Sequence, residues 1–274
     1  MRIAVENVSF AYDDATPALR GLDLTVIGGS SIALIGPNGS GKSTLLKVVS
    51  GVLRPDDGSV RLDDSSIDEL SARQVARRLA MVEQERSMGV DFTVREVVAM
   101  GRIPHRGRFA RESGDDRRAV DRAMGLADVQ ELADRSIRAV SGGERQRVFL
   151  AMAFAQGTDV LLLDEPTTHL DLHHQVQFMA IVRERAEAGM TVLIAIHDLT
   201  LAAQAVDRIA LMTDGRILVT GTPREVLTPF NVRRAFHVEA VVGEHPELGT
   251  TYVLAALRSH RNPRLHPSEL AGSA

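Results

Sequence analysis

With 274 residues, 44% of them hydrophobic and 25% charged, the chain is long enough to bury one large α/β core with an inserted or appended subdomain, and its composition excludes general disorder. The absence of cysteine excludes disulfides, thiol catalysis and thiolate metal sites, and a formal charge of −4 supplies no basic field to hold nucleic acid. No apolar run approaches the roughly 20 residues of a membrane span. The opening MRIAVENVSF lacks the apolar core and cleavage site of a secretory signal, so a cytoplasmic location is expected.

Ile3 and Val5, then Leu22, Leu24 and Val26, alternate with polar neighbours and predict short strands, and Ile32 to Ile35 reads as a continuous buried strand. That strand enters a glycine-rich stretch, Gly36 to Ser43, followed by a helical face of Leu45, Leu46, Val48 and Val49 that stops at Gly51. Leu79 to Val82 predicts a further strand. Residues 89–156 read as helical with no convincing strand, an insertion. Strands resume at Val160 to Glu165 and Thr191 to Ile196, separated by an amphipathic helix over Leu172 to Glu187; this alternation predicts a mainly parallel sheet with crossovers. Arg208 to Met212 and Arg216 to Thr220, joined by Thr213, Asp214 and Gly215, predict a hairpin. A last unit of helix and short strands ends near Leu257, and residues 258–274 read as a frayed tail. No internal repeat is present, and the chain has a single glycine-rich loop.

Gly36, Gly41, Lys42 and Ser43, within GPNGSGKS, match G-x-x-x-x-G-K-[ST] between a strand and a helix. The pattern follows from phosphate chemistry. Glycines let backbone N–H groups curl round the phosphates, the helix start adds its positive end, Lys42 reaches the β- and γ-phosphates, and the Ser43 hydroxyl ligates Mg²⁺. The expected ATP contacts are Gly36, Pro37, Asn38, Gly39, Ser40, Gly41, Lys42, Ser43 and Thr44. Lys42 carries extra weight because 30 of the 32 basic residues are arginine. Asp164 and Glu165 end an apolar strand at the edge where the loop must lie. Asp164 is then expected to hold Mg²⁺, and Glu165 to act as general base on water. Ser141 to Glu144, SGGE, reads as a capping box opening the helix Arg145 to Ala155, and equally as an anion site built from a helix start with two glycines.

Together with SGGERQ, Ser141 to Gln146, this set resembles the nucleotide-binding subunit of an ATP-binding cassette transporter over about Met1 to Leu257. The resemblance implies a P-loop NTPase core with a mainly parallel sheet, an N-terminal antiparallel β subdomain and an α-helical subdomain inserted at about 89–156, all in one domain spanning 1–257. It implies that Tyr12 stacks on adenine, that Gln84 joins Ser43 and Asp164 at the metal and links Mg²⁺ and the attacking water to the helical insertion, and that Ser141, Gly142, Gly143 and Asp171 contact nucleotide. His197, ending TVLIAIH, takes the place of the histidine that contacts the γ-phosphate. Val140 and Glu144 depart from the family's usual Leu and Gln. Within the family, VVAMGRIPHRGRF (Val97 to Phe109) and the pairing of SGGERQRVFLAMAFAQ with LLLDEPTTHLD resemble importers of ferric siderophores, haem or cobalamin.

With one phosphate loop and one SGGE segment per chain, an SGGE that touches a γ-phosphate held elsewhere requires two copies paired head to tail around two ATP. The resemblance further implies permease subunits in the membrane, a solute-binding protein reached through them, no nucleic acid, and a place on the cytoplasmic face of a bacterial inner membrane. The alternative is a soluble cassette ATPase acting on ribosomes or DNA, for which tandem cassettes or a coiled-coil insertion are expected and absent from the sequence. A metabolic kinase has no use for SGGE. Between Arg102 and Arg122, seven arginines stand against four acids, a pattern that fits a permease loop or lipid headgroups no better than a solvated helix pair.

Overall fold

The computed structural model describes residues 1–13, 16–83, 91–107 and 111–256. The chain opens with antiparallel strands β1 (Ile3–Ala11) and β2 (Pro17–Val26). Strand β3 (Ser31–Ile35), buried at every position, leads through the glycine-rich loop into α1 (Lys42–Val49). Strand β4 (Asp57–Leu62) returns to pair antiparallel with β1, and β5 (Ser65–Ser66) completes a four-stranded sheet of order β2-β1-β4-β5. This is the N-terminal antiparallel sheet that the family resemblance implied. Its β4, DGSVRL, goes beyond the sequence reading, because only Val60 and Leu62 point to the core and β1 supplies the rest of the reason for a strand there.

After α2 (Ala72–Val75) and β6 (Leu79–Val82) come α3 (Val94–Met100), α4 (Gly114–Leu126) and α5 (Gly142–Ala155). Among the described residues the only β pairing in this helical stretch is an isolated bridge between Thr93 and Ser136. All three helices begin with a capping box, Thr93 with Glu96, Ser113 with Asp116, and Ser141 with Glu144. Helix α5 therefore starts at Gly142 and not at Arg145: with Ser141 as the cap, both glycines belong to the first turn.

The remaining elements are β7 (Val160–Asp164), α6 (Leu172–Glu187), β8 (Thr191–Ala195), α7 (Leu199–Ala205), β9 (Arg208–Thr213), β10 (Arg216–Gly221), α8 (Pro223–Val226), α9 (Pro229–Phe236), β11 (Ala240–Glu244) and β12 (Thr251–Ala255). Strands β9 and β10 form the expected hairpin; Asp214 and Gly215 at its tip have φ of 49° and 74°, as a right-twisted two-residue turn requires. The main sheet has the order β10-β9-β3-β8-β7-β6, parallel throughout except for β10. The fold is an α/β P-loop NTPase core.

The main sheet is covered on both faces, which explains why its strands read as unbroken apolar runs. Ala33, Ile35, Leu161, Leu163, Val192 and Ile194 join a core with the helices α3 to α6. Ile32, Leu34, Val160, Leu162 and Leu193 join a second core with α1 and the antiparallel sheet. Parallel registry then brings functional ends together. Asp164 is level with Ala195, and Ala195 with Leu34, so the chain leaves β3, β7 and β8 at one edge, where ligands of open parallel sheets bind. None of the described helices is long and apolar enough to cross a membrane.

Candidate nucleotide site

The loop after β3 closes on its surroundings so tightly that two positions admit only glycine. Gly36 has φ 154°, and a Cβ there would lie 2.8 Å from Ser40 Oγ and nearer still to the Met212 carbonyl; Gly41 has φ 100°, and a Cβ would lie 2.7 Å from the Ala18 carbonyl. Within this curve the Lys42 ammonium is buried and donates to the carbonyls of Gly36 at 2.9 Å and Pro37 at 3.1 Å. Burial lowers its pKa, opposed by the charges of Glu165 and Asp164.

The Ser43 hydroxyl donates to Asp164 Oδ1 at 2.8 Å. Burial pushes the Asp164 carboxyl upward, the Ser43 hydrogen bond opposes this, and the adjacent Glu165 adds to the rise. Glu165 itself has a left-handed backbone, φ 48°, a conformation that costs a non-glycine residue about 1–3 kcal/mol. Its N–H donates to the Ala195 carbonyl at 3.1 Å, and its Oε1 meets His197 Nε2. Tyr12, just beyond β1, is 62% exposed. Its ring stands edge-on to Phe10 at 5.0 Å and its hydroxyl lies 3.3 Å from Thr44 Oγ1, so an open aromatic face stands beside the start of α1.

These residues border a cleft of about 610 Å³ lined by Tyr12, residues 38–44, Glu165 and His197, within the size range of small-ligand sites. The cleft fits a nucleotide with its cation. It offers loop amides, a buried ammonium, the buried and otherwise unpartnered Ser40 Oγ and an aromatic face. Among the described residues no cluster of three or more His, Asp or Glu could hold a metal by itself. One hydroxyl and one carboxylate are, however, what Mg²⁺ commonly takes from a protein when phosphates complete its shell. Thr168 and His169 also line the cleft. They escaped the sequence reading because His169 faces this way through its own left-handed turn, φ 64°, which no residue pattern announces.

Gly36 and Pro37 do not line the cleft but take the Lys42 ammonium through their carbonyls, and Asp164 reaches it through Ser43; four further expected contacts, Ser141, Gly142, Gly143 and Asp171, lie outside it. Ser141 and Glu144 bond reciprocally: the Ser141 N–H donates to the Glu144 carboxylate at 2.7 Å, and the Ser141 hydroxyl accepts the Glu144 N–H at 3.2 Å. The Ser141 N–H, and after it the Ser141 hydroxyl, hold the Glu144 carboxyl below its ordinary range. Ser141 and Gly142 are exposed and Gly143 is buried. Asp171 caps α6. None of Ser141, Gly142, Gly143 and Asp171 borders the cleft of its own chain. Gln84 and the expected tail, 258–274, fall outside the described residues.

The chain matches the family described as ABC transporter over residues 19–168, more than half of its length. The hemin import ATP-binding protein of Pseudomonas aeruginosa is 43% identical over 92% of this chain and 99% of its own. The ferric enterobactin transport ATP-binding protein of Escherichia coli is 37% identical over 92% and 93%. The cobalamin import ATP-binding protein of Halobacterium salinarum is 45% identical over 82% of this chain, which spans only 56% of that relative's length. Among solved structures, a chain assigned to a metal-chelate type ABC transporter in an inward-facing conformation superposes with a TM-score of 0.81 at 28% identity, covering 93% of this chain and 96% of the other. A dimeric bacterial ABC transporter cassette does so at 0.72 and 26%, covering 81% and 99%. The chain belongs to the ABC transporter family.

Proposed function

We propose that the protein is the ATP-hydrolysing subunit of a membrane importer, working as a single domain over 1–257 with its helical part at about 89–156. The carrying observation is that the Ser43–Asp164 pair and the Glu165–His197 pair meet at the mouth of one phosphate loop. Tyr12 stacks on the adenine, the loop amides and Lys42 hold the phosphates, and Ser43, Asp164 and Gln84 hold Mg²⁺. Bound there, the ion neutralises charge that develops between the β- and γ-phosphates. Glu165 accepts the proton of the attacking water, and His197 fixes the Glu165 carboxylate and contacts the γ-phosphate.

Ser141, Gly142, Gly143 and Asp171 act on the nucleotide of a second copy, which accounts for their position outside their own cleft. Two chains then pair head to tail, ATP closes the pair and hydrolysis opens it, and permease subunits follow that motion. Relatives named for hemin, ferric enterobactin and cobalamin import support an iron complex or cobalamin as the solute. They favour import, with a binding protein upstream and attachment at the cytoplasmic membrane face, over an ATPase serving ribosomes or DNA.

Glu165→Gln tests this reading. The amide keeps the shape but cannot take the proton, so ATP binding is retained while hydrolysis falls by about 10²–10⁴-fold, and the variant dimerises on size-exclusion chromatography with ATP and Mg²⁺. Phosphate release near the wild-type rate, with only monomer present, would remove Glu165 as the base.

A further inference from the structure

Gly143 presents a problem of economy. It lies in the first turn of α5, where glycine costs about 1 kcal/mol relative to alanine, and its φ is not left-handed, so backbone freedom does not explain it. Space does. A Cβ on Gly143 would lie 2.9 Å from His174 Nε2 and nearer still to Cγ and Cδ2 of the same ring, whereas a Cβ on the neighbouring Gly142 would meet nothing within 4 Å. The His174 imidazole fills the volume that any other residue at 143 would need.

The same ring is held from its other side. His174 is the third residue of α6, whose cap is Asp171, and Asp171 Oδ1 accepts both the His174 backbone N–H at 2.9 Å and its Nδ1–H at 2.7 Å. Capping needs only the first of these bonds, which any residue at 174 supplies. The second needs a side-chain donor at the distance of Nδ1 from the backbone, which few residues other than His and Asn supply. Both bonds hold the Asp171 carboxyl below its ordinary range, so it remains charged. One turn further along, Arg147 Nη1 donates to Gln177 Oε1 at 2.8 Å, a second rung between α5 and α6.

We propose that His174 is a positioning residue that locks the Ser141–Gly143 turn and Asp171 into one rigid unit, so that a second copy of the chain meets both at a fixed spacing. This rests on the head-to-tail reading above. A ring braced against Gly143 and tied to Asp171 makes two surfaces from separate helices move together. Without it, each could still form, but their spacing would fluctuate when the pair closes on nucleotide.

The test is a cycle of His174→Ala, Gly143→Ala and the double variant, with His174→Asn as the conservative replacement because its amide reproduces the Nδ1 donor. Affinity for a fluorescent ATP analogue is measured on the isolated chain, and kcat and KM for Mg-ATP across protein concentration. His174→Ala leaves analogue affinity within about twofold and lowers kcat about tenfold. Gly143→Ala alone is similarly damaging, yet adds less than about twofold on the His174→Ala background, where the ring no longer obstructs. His174→Asn recovers part of kcat. Wild-type kcat in His174→Ala, or additive effects of the two substitutions in an active enzyme, would overturn the role of His174 alone. If the wild-type chain hydrolyses no ATP, the functional reading fails, and the same four proteins compared by thermal unfolding decide the contact: non-additive melting shifts uphold the brace, additive shifts overturn it.

Discussion

Ser43 and Asp164, 121 positions apart in the chain, are joined by a 2.8 Å hydrogen bond from Ser43 Oγ to Asp164 Oδ1. The pair links the first residues of α1 to the end of β7, and both partners come from segments whose other atoms are packed in the cores. Asp164 is only 5% exposed, so it sits where a carboxylate is poorly solvated and a cation would be welcome. Stability and function pull in opposite directions at this residue.

That conflict gives the first prediction. Because burial raises the Asp164 pKa, the folded chain binds this proton more tightly than the unfolded chain. Stability therefore falls as pH rises from the ordinary aspartate value through the raised folded one, and the penalty persists at neutral pH. Asp164→Asn removes the charge while keeping an acceptor for Ser43. Its Tm at pH 7 should exceed wild type by about 2–4 °C, the equivalent of roughly 1 kcal/mol in a chain of this size. The advantage should shrink toward pH 4. Mg-dependent hydrolysis should fall by about 10²-fold or more. Calorimetry showing a lower Tm at neutral pH would contradict the account of Asp164.

A second prediction concerns the arginine-rich stretch before and within α4. Asp116 is 6% exposed and accepts from the Ser113 N–H and hydroxyl, from Arg102 Nε at 3.0 Å and from Arg106 Nε at 3.5 Å. The Ser113 bond is the chief reason that its carboxyl lies far below the ordinary range, and burial opposes it. Here the sign is the reverse of that for Asp164: the stabilisation is present above the unfolded aspartate value and is lost as pH falls below it. Asp116→Asn, which leaves the half-buried Arg102 short of its counter-charge and Arg106 with Glu112 alone, should cost about 2 kcal/mol at pH 7. Urea unfolding should show the gap to wild type closing below about pH 4; a gap independent of pH would rule out the ion pairs as its cause.

Asp116 also shows where a sequence reading of charge falls short. Seven arginines against four acids between 102 and 122 suggest a surface field, yet Arg102 and Arg106 are spent on one buried carboxylate, and Arg118 pairs with Asp115. Local patterns served much better where one element decides its own structure. The loop Gly36 to Ser43, the helix Leu172–Glu187 and the Asp214–Gly215 hairpin stand where the residues put them. Strand β4 was illegible because two core-facing residues are too few to signal a strand without β1 beside them. Likewise, nothing in LDLHHQ distinguishes His174 from a solvated helix residue. Its meaning depends on Gly143, 31 positions away, and only the packing of α5 against α6 brings the two together.

The central claim is that two chains share each nucleotide, and a mixed dimer tests it most directly. Chains carrying Lys42→Ala, which lose the charge that neutralises the phosphates, are combined with chains carrying Ser141→Arg, which fill the anion site at the start of α5. If Ser141 acts on the partner's nucleotide, one composite site of a mixed dimer carries both lesions and the other carries neither. Hydrolysis should then return above both parents, toward about a quarter of the wild-type rate for an equal mixture in which half the dimers are mixed and each keeps one intact site. Strict coupling between sites would lower that figure, so the same mixture is checked on this cysteine-free chain by crosslinking Ser40→Cys to Gly142→Cys, for which the account predicts a bond between chains. A mixture that forms dimers but stays as inactive as its parents, together with a crosslink found only within single chains, would contradict the shared site.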